Sequence, residues 1–183
     1  MIHHRGALGS DRDGSCALNG GKTEGVESKL AAELSSRPKA VLFACGLNAV
    51  RSPMAAALFR RLYGEVVHVS SVGVQKGELD PFAVAVMGEI GIDISCHTPL
   101  TFEELDELEG LNFDLIVTLS PPAHHKALEL TRVHAMEVEY WPTIDPTATE
   151  GNREQRLDAY RELREQLMAQ IRARFGGARG GNE

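Results

Sequence analysis

Short apolar runs that alternate with capped helix starts constrain this chain more than any other feature. Val41–Ala44 is a buried strand by length and context, preceded by Lys39 and followed at once by a loop. Ser52-Pro53 then opens a helix, with serine as N-cap and proline at the first helical position. Met54, Ala57, Leu58 and Leu62 give that helix one apolar face. Val67 and Val69 predict a second strand ending near Gly73. Asp80-Pro81 repeats the cap-then-proline signal, and Phe82, Val86 and Ile90 follow at helical spacing until Gly91 stops the run. Thr101-Phe102-Glu103-Glu104 fits a capping box for a short helix. Phe113–Leu119 reads as a third strand, Ser120-Pro121 as a third helix start and Met136–Tyr140 as a fourth strand. Leu157, Tyr160, Leu163, Leu167, Ile171 and Phe175 mark a long amphipathic closing helix. This alternation predicts an α/β fold: a four-stranded parallel sheet flanked by helices on both faces. Such sheets take their ligand beyond the carboxyl ends of the strands, so the loop after the first strand is where chemistry is expected.

The rest of the chain sets limits. Residues 1–37 are rich in glycine and charge without a sustained apolar period, and read as a mostly disordered extension with a weak helical signal at Val26–Leu34. The domain is assigned to residues 38–175, and the glycine-rich residues 176–183 to a flexible tail. The formal charge of −7 averages a neutral 1–37, a net of −9 over 38–151 and +2 over 152–183. That acidity argues against a nucleic-acid partner. No apolar run is long enough to span a membrane, and the first residues lack the form of a secretory signal. Three scattered cysteines, Cys16, Cys45 and Cys96, fit a reducing compartment, so a cytoplasmic location is expected.

Several smaller signals carry little. Gly20-Gly21-Lys22-Thr23 resembles the end of a nucleotide-binding loop, but Cys16 stands where its first glycine belongs and no strand precedes it. His124-His125 are adjacent, about 100° apart on a helix, unlike the i, i+4 pairs that chelate metals; they read as solvated surface. Cys96-His97 has no partner cluster, and Cys96 reads as a small buried side chain. Glu103–Glu109 is the exposed face of a short helix. Neither a metal nor another cofactor is expected.

The loop itself reads Cys45-Gly46-Leu47-Asn48-Ala49-Val50-Arg51-Ser52, of the form C-x5-R-S. A loop of this length can turn its backbone N–H groups onto one oxyanion, making a phosphate-binding loop. Arg51 adds a planar fork for two further oxygens. The helix N-terminus, Arg51 and the Ser52 hydroxyl would all favour a thiolate at Cys45, a nucleophile placed beneath the bound group.

At this point the sequence resembles a family. VLFACGLNAVRSPMAAAL is similar to the signature of the low-molecular-weight protein tyrosine phosphatases, usually V-C-L-G-N-I-C-R-S-P. The likeness continues through SSVGVQKGELDPFAVAVMGEIGIDIS, FDLIVTLS and Asp145-Pro146, and covers roughly Lys39 to Phe175. The resemblance implies that Cys45 attacks phosphorus to give a cysteinyl-phosphate while Arg51 binds the equatorial oxygens. It implies that Asn48 organises the loop and that Ser52 supports the thiolate. It makes Asp145 first the general acid for the leaving group and then the base for water. Gly46, Leu47, Asn48, Ala49, Val50 and Ser52 would line or hold the substrate, with Trp141 either at the mouth of the site or packed in the core. The implied substrate is a phosphorylated protein, above all at tyrosine, or a small aryl phosphate. Two other readings remain. An arsenate reductase of the same fold is one, although reductases that relay electrons to thioredoxin carry cysteines after the third strand, where Ser120 stands here. The other is a phosphate-binding module with impaired turnover.

The departures from the family pattern are specific. Gly46-Leu47 inverts the usual Leu-Gly, so a strained backbone is expected at Leu47. Thr147 follows Asp145-Pro146 where an aromatic residue is common, and Ala49 matches neither the isoleucine of tyrosine phosphatases nor the threonine of arginine phosphatases. Val50 replaces the second loop cysteine, which removes the nearby thiol that would trap an oxidised Cys45 as a disulfide. Peroxide inactivation should therefore be less reversible than in relatives with both cysteines. Complete recovery on dithiothreitol after prolonged peroxide treatment would refute this.

Overall fold

The computed structural model describes residues 38–64 and 66–176. The readings of residues 1–37, including the Val26–Leu34 helix, and of the tail from residue 177 onward lie outside them. Four strands, β1 (Ala40–Cys45), β2 (His68–Gly73), β3 (Leu115–Thr118) and β4 (Glu137–Tyr140), form one sheet in the order β2-β1-β3-β4. All three pairings are parallel. Between and after the strands lie α1 (Arg51–Tyr63), α2 (Pro81–Gly88), α3 (Phe102–Glu109), α4 (Pro121–Leu130), a 3-10 turn (Pro146–Ala148) and α5 (Arg153–Phe175).

The central strand shows why helices cover both faces. Along β1, Val41, Phe43 and Cys45 belong to a core shared with α1, α2 and α5. Leu42 and Ala44 point the other way, into a second core with Phe102 and Leu105 of α3 and Ala123 and Ala127 of α4. The period of two thus divides one apolar run between two layers. All six apolar positions read for α5 are buried, each contributing on the order of 2 kcal/mol by leaving water. Phe59 and Phe175 meet edge-on with ring centroids 4.9 Å apart, which fixes the end of α5 against α1. Arg164 adds a polar tie, donating to Val86 O at 2.9 Å and so linking α5 to the end of α2.

Local signals were obeyed with some exceptions. Asp80 caps α2 by accepting from the Phe82 amide at 2.8 Å, with Pro81 at the first helical position. Thr101 and Glu104 close the expected capping box of α3. Ser52, however, is not the cap of α1. The helix begins two residues earlier than expected, at Arg51 after Val50, with no side-chain cap, and the Ser52 hydroxyl turns inward instead. Ser120 precedes α4 but makes no capping bond. Ile90 lies past the end of α2 and is exposed, as is Cys96, contrary to expectation. His124 is only half exposed: its ring accepts or donates at Thr118 Oγ1, 3.1 Å away, and stacks on Tyr140.

β1 is paired by β2 on one side and by β3 on the other, so successive crossovers leave in opposite directions at its carboxyl end. The loop after Cys45 occupies that crevice. Gly73 closes β2 directly beneath it. A Cβ on Gly73 would sit 2.2 Å from Gln75 O, 2.8 Å from Asn48 N and 2.8 Å from Leu47 C, all backbone atoms that cannot swing aside. Gly73→Ala should cost on the order of 2 kcal/mol of stability. It should also displace the loop after Cys45 and so lower the phosphate affinity expected of that loop. Urea unfolding and phosphate titration would check both.

Candidate active site

The loop from Gly46 to Val50 is shaped by where its carbonyls go. Cys45 O, Gly46 O, Leu47 O and Ala49 O accept from the amides of Val74, Gln75, Gly77 and Asp80 at 2.8–3.1 Å. The strap that follows β2 therefore holds every one of these carbonyls on the outside of the turn. Among the described residues, no backbone carbonyl takes the amides of residues 46–52. Those N–H groups, continuing into the uncapped first turn of α1, face the opposite way and form an anion cradle.

Asn48 holds the turn in place. It is the one non-glycine with positive φ (52°) among the described residues, and it is fully buried. Its amide nitrogen donates to Ser52 Oγ at 2.9 Å and to Ser71 Oγ at 3.1 Å. Its oxygen accepts from Leu100 N at 3.2 Å and from His97 Nε2 at 2.7 Å. Every donor and acceptor site of the side-chain amide is thus used, which is what offsets its burial. Burial holds the His97 imidazole below its ordinary pKa, and because Asn48 presents an oxygen, His97 carries its proton on Nε2. Ser71 was not singled out in the sequence and His97 was set aside for want of a partner cluster: they lie 23 and 49 residues from Asn48, and only the fold brings them together.

The nucleophile candidate sits on this support. Cys45 Sγ lies 3.0 Å from Ser52 Oγ, and that hydroxyl is also 3.1 Å from Val72 O. With Asn48 donating to it, the Ser52 oxygen has one proton to give. It goes to Val72 O when Cys45 is a thiol and is available to the sulfur when Cys45 is a thiolate.

On the opposite lip, Arg51 Nη1 donates to Leu119 O at 3.2 Å and Nη2 pairs with Asp145 Oδ2 at 3.2 Å. Asp145 also caps the 3-10 turn, its Oδ1 accepting from Thr147 N at 3.1 Å and Thr147 Oγ1 at 2.6 Å. One carboxylate oxygen is thereby fixed in place while the other faces Arg51.

These groups surround a cleft of about 260 Å³. Cys45, Gly46, Leu47, Ala49, Val50, Arg51 and Asp145 line it, as do Asp80 and Thr147, and Gly77 and Glu78, which the sequence reading did not single out. Asn48 and Ser52 act from behind the wall. Trp141 is elsewhere: it packs edge-on to Phe43 at 6.2 Å in the core and donates to Glu139 Oε2 at 3.0 Å. The strain expected at Leu47 is absent, because the positive φ belongs to Asn48 and the leucine side chain turns outward, half exposed. A Cβ on Gly46 would meet nothing within 4 Å, so the inverted pair fits without crowding. Behind the cleft, Tyr160 of α5 donates to Asp80 Oδ2 at 2.8 Å, and burial beside that carboxylate pushes its phenol well above the usual range. Among the described residues, no cluster of three His, Cys, Asp or Glu side chains is placed to hold a metal ion, and no helix is long and apolar enough to cross a membrane.

Comparison with known proteins agrees with this geometry. An arsenate reductase of Shouchella clausii is 34% identical over 135 residues, covering 73% of this chain and 93% of the relative. A low molecular weight protein tyrosine phosphatase from T. tengcongensis superposes with a TM-score of 0.61 at 25% identity, covering 76% of this chain and 99% of that one. An arsenate reductase in its phosphate-binding state gives a TM-score of 0.57 at 26% identity, over 75% of this chain and 97% of that one. Residues 40–174 match the family pattern of the low molecular weight phosphotyrosine protein phosphatases, and the chain belongs to that family.

Proposed function

We propose that Cys45 attacks a tetrahedral oxyanion seated in the loop cradle, and that arsenate, reduced at the expense of an external thiol, is the substrate. The observation that carries this reading is the cleft itself: an amide cradle over a cysteine, with no aromatic side chain among the described residues that line it. A tyrosyl ring would have nothing to stack on, whereas a small oxyanion needs only amides and Arg51. The names of the relatives point the same way.

In this reaction the Cys45 thiolate forms a bond to arsenic and hydroxide leaves as water, with Asp145 supplying the proton. An external thiol then attacks the Cys45 sulfur. The S–As electron pair stays on arsenic, which falls from As(V) to As(III) and departs as arsenite, leaving Cys45 in a mixed disulfide. A second external thiol attacks that disulfide and restores Cys45. Two thiols are oxidised to one disulfide for each arsenate reduced. The second thiol of an internal relay is not required, and the site supplies none: the other described cysteine, Cys96, does not line the cleft.

A second reading is supported by Asp145, 3.2 Å from Arg51 and placed as a general acid: hydrolysis of phosphate monoesters through a cysteinyl-phosphate, including phosphotyrosine. The same residues serve both readings, because arsenate and phosphate share shape and charge. A cytoplasmic location fits either one, since thiol reductants and phosphoproteins are both available there.

Parallel assays separate the two. Wild type, Cys45→Ser and Asp145→Asn are compared for arsenite production with glutathione–glutaredoxin or thioredoxin, and for release of p-nitrophenol and of phosphate from a phosphotyrosine peptide. Arsenite formation abolished by Cys45→Ser is the expected result. Asp145→Asn should lower ester hydrolysis by about 10²-fold or more. Phosphotyrosine hydrolysis without any arsenite would establish the second reading instead. An inert wild type that still binds phosphate would leave a binding module.

A further inference from the structure

A second and larger cleft, of about 500 Å³, opens on the far side of α1, between that helix and the segment from Gly91 to His97. Its volume falls in the range of small-molecule sites. Ala57, Ile92 and Ile94 give it an apolar floor, and Arg60 and Arg61 stand along one wall. Arg60 spends one N–H on Val69 O at 3.1 Å, and Arg61 enters no ion pair among the described residues. The one acid in the lining, Asp93, is turned to its own chain, where it accepts from Ser95 N at 2.8 Å. Two guanidinium groups beside an apolar floor are complementary to a small anion carrying an apolar body.

This cleft is not isolated from the catalytic one. His97 belongs to its lining and bonds Asn48, and Ser71, also in the lining, accepts from the same Asn48 side chain. Asn48 in turn donates to Ser52, whose hydroxyl touches Cys45. The two clefts therefore lie on either side of one buried amide.

We propose that the cleft behind α1 is a second ligand site, taking a small organic carboxylate or sulfonate with an apolar body, and that its occupant is felt at Cys45 through His97 and Asn48. An occupant wedged between α1 and the Gly91–His97 segment bears on the backbone that positions His97. Any shift of that ring loosens the hydrogen bond between the segment's imidazole and Asn48 of the catalytic turn. Binding and coupling both operate whether the catalytic cleft handles arsenate or phosphate esters.

Anilinonaphthalene sulfonate is a suitable probe, being an apolar ring system with one sulfonate. It is titrated by fluorescence into the full chain with inorganic phosphate saturating the catalytic cleft. Saturable binding of one equivalent is expected. Arg61→Glu, an exchange on the helix surface, should weaken it by about tenfold. Cys96→Phe, which places a ring in the cleft from an exposed position, should block it. In phosphate-free buffer, alkylation of Cys45 by iodoacetate, followed peptide by peptide by mass spectrometry, should change rate by about fivefold when the probe is bound. That change should be lost in Arg61→Glu. Equal affinity in both variants, or displacement of the probe by phosphate, would overturn the site. An unchanged alkylation rate with the probe bound would overturn the coupling. Neither readout requires turnover, so failure here is distinguishable from failure of the proposed reaction.

Discussion

The architecture of the site depends on one buried amide. Asn48 adopts a left-handed backbone conformation that costs most side chains about 1 kcal/mol or more, and four hydrogen bonds hold it there. They reach α1, β2 and the segment before α3, so three separate stretches of chain must be in place before the turn after Cys45 closes. Asparagine suits this position because its side chain both donates and accepts, and because it tolerates positive φ better than other non-glycine residues. An aspartate would lose the two donations to serine and bury a charge.

From that anchor the remaining geometry follows by exclusion. With the carbonyls of Cys45, Gly46, Leu47 and Ala49 taken on its outer side, the turn shows the amides that follow them on its inner side. The strap from Val74 to Asp80 supplies the N–H donors for those carbonyls, and Tyr160 of the closing helix holds the end of the strap through Asp80. The long α5 helix, far from Cys45 in sequence, is thereby part of what keeps the cradle open. An acidic segment can bind an oxyanion in this way because the attraction comes from dipoles and one guanidinium at contact range, not from net charge.

Much of this was readable in the sequence, for identifiable reasons. Strand and helix order followed from apolar periodicity and from three cap-and-proline pairs, all local signals. The Cys45–Ser52 loop was visible because its parts are contiguous. The boundary at Ser52 misled because serine before proline has the form of a cap, whereas here its hydroxyl serves the sulfur and Val72 O. Ser71 and His97 could not be read, since nothing near them in the chain marks them; their role exists only once β2 and the 91–97 segment pack against the loop. Trp141 looked available to a ligand because sequence proximity to Asp145 says nothing about which face of the sheet a side chain takes. The core needed it more, between Phe43 and Phe175.

The pairing of Arg51 with Asp145 has a consequence for the order of events. The guanidinium proposed to grip an incoming oxyanion already holds a carboxylate, so the two anions would compete for one partner. In the proposed reaction, an arriving dianion backed by the loop amides would win that competition and release one Asp145 oxygen, while Thr147 keeps the other in place. On that proposal the acid would be idle in the empty cleft and free to move a proton only after substrate has arrived, an interlock built from a single shared arginine.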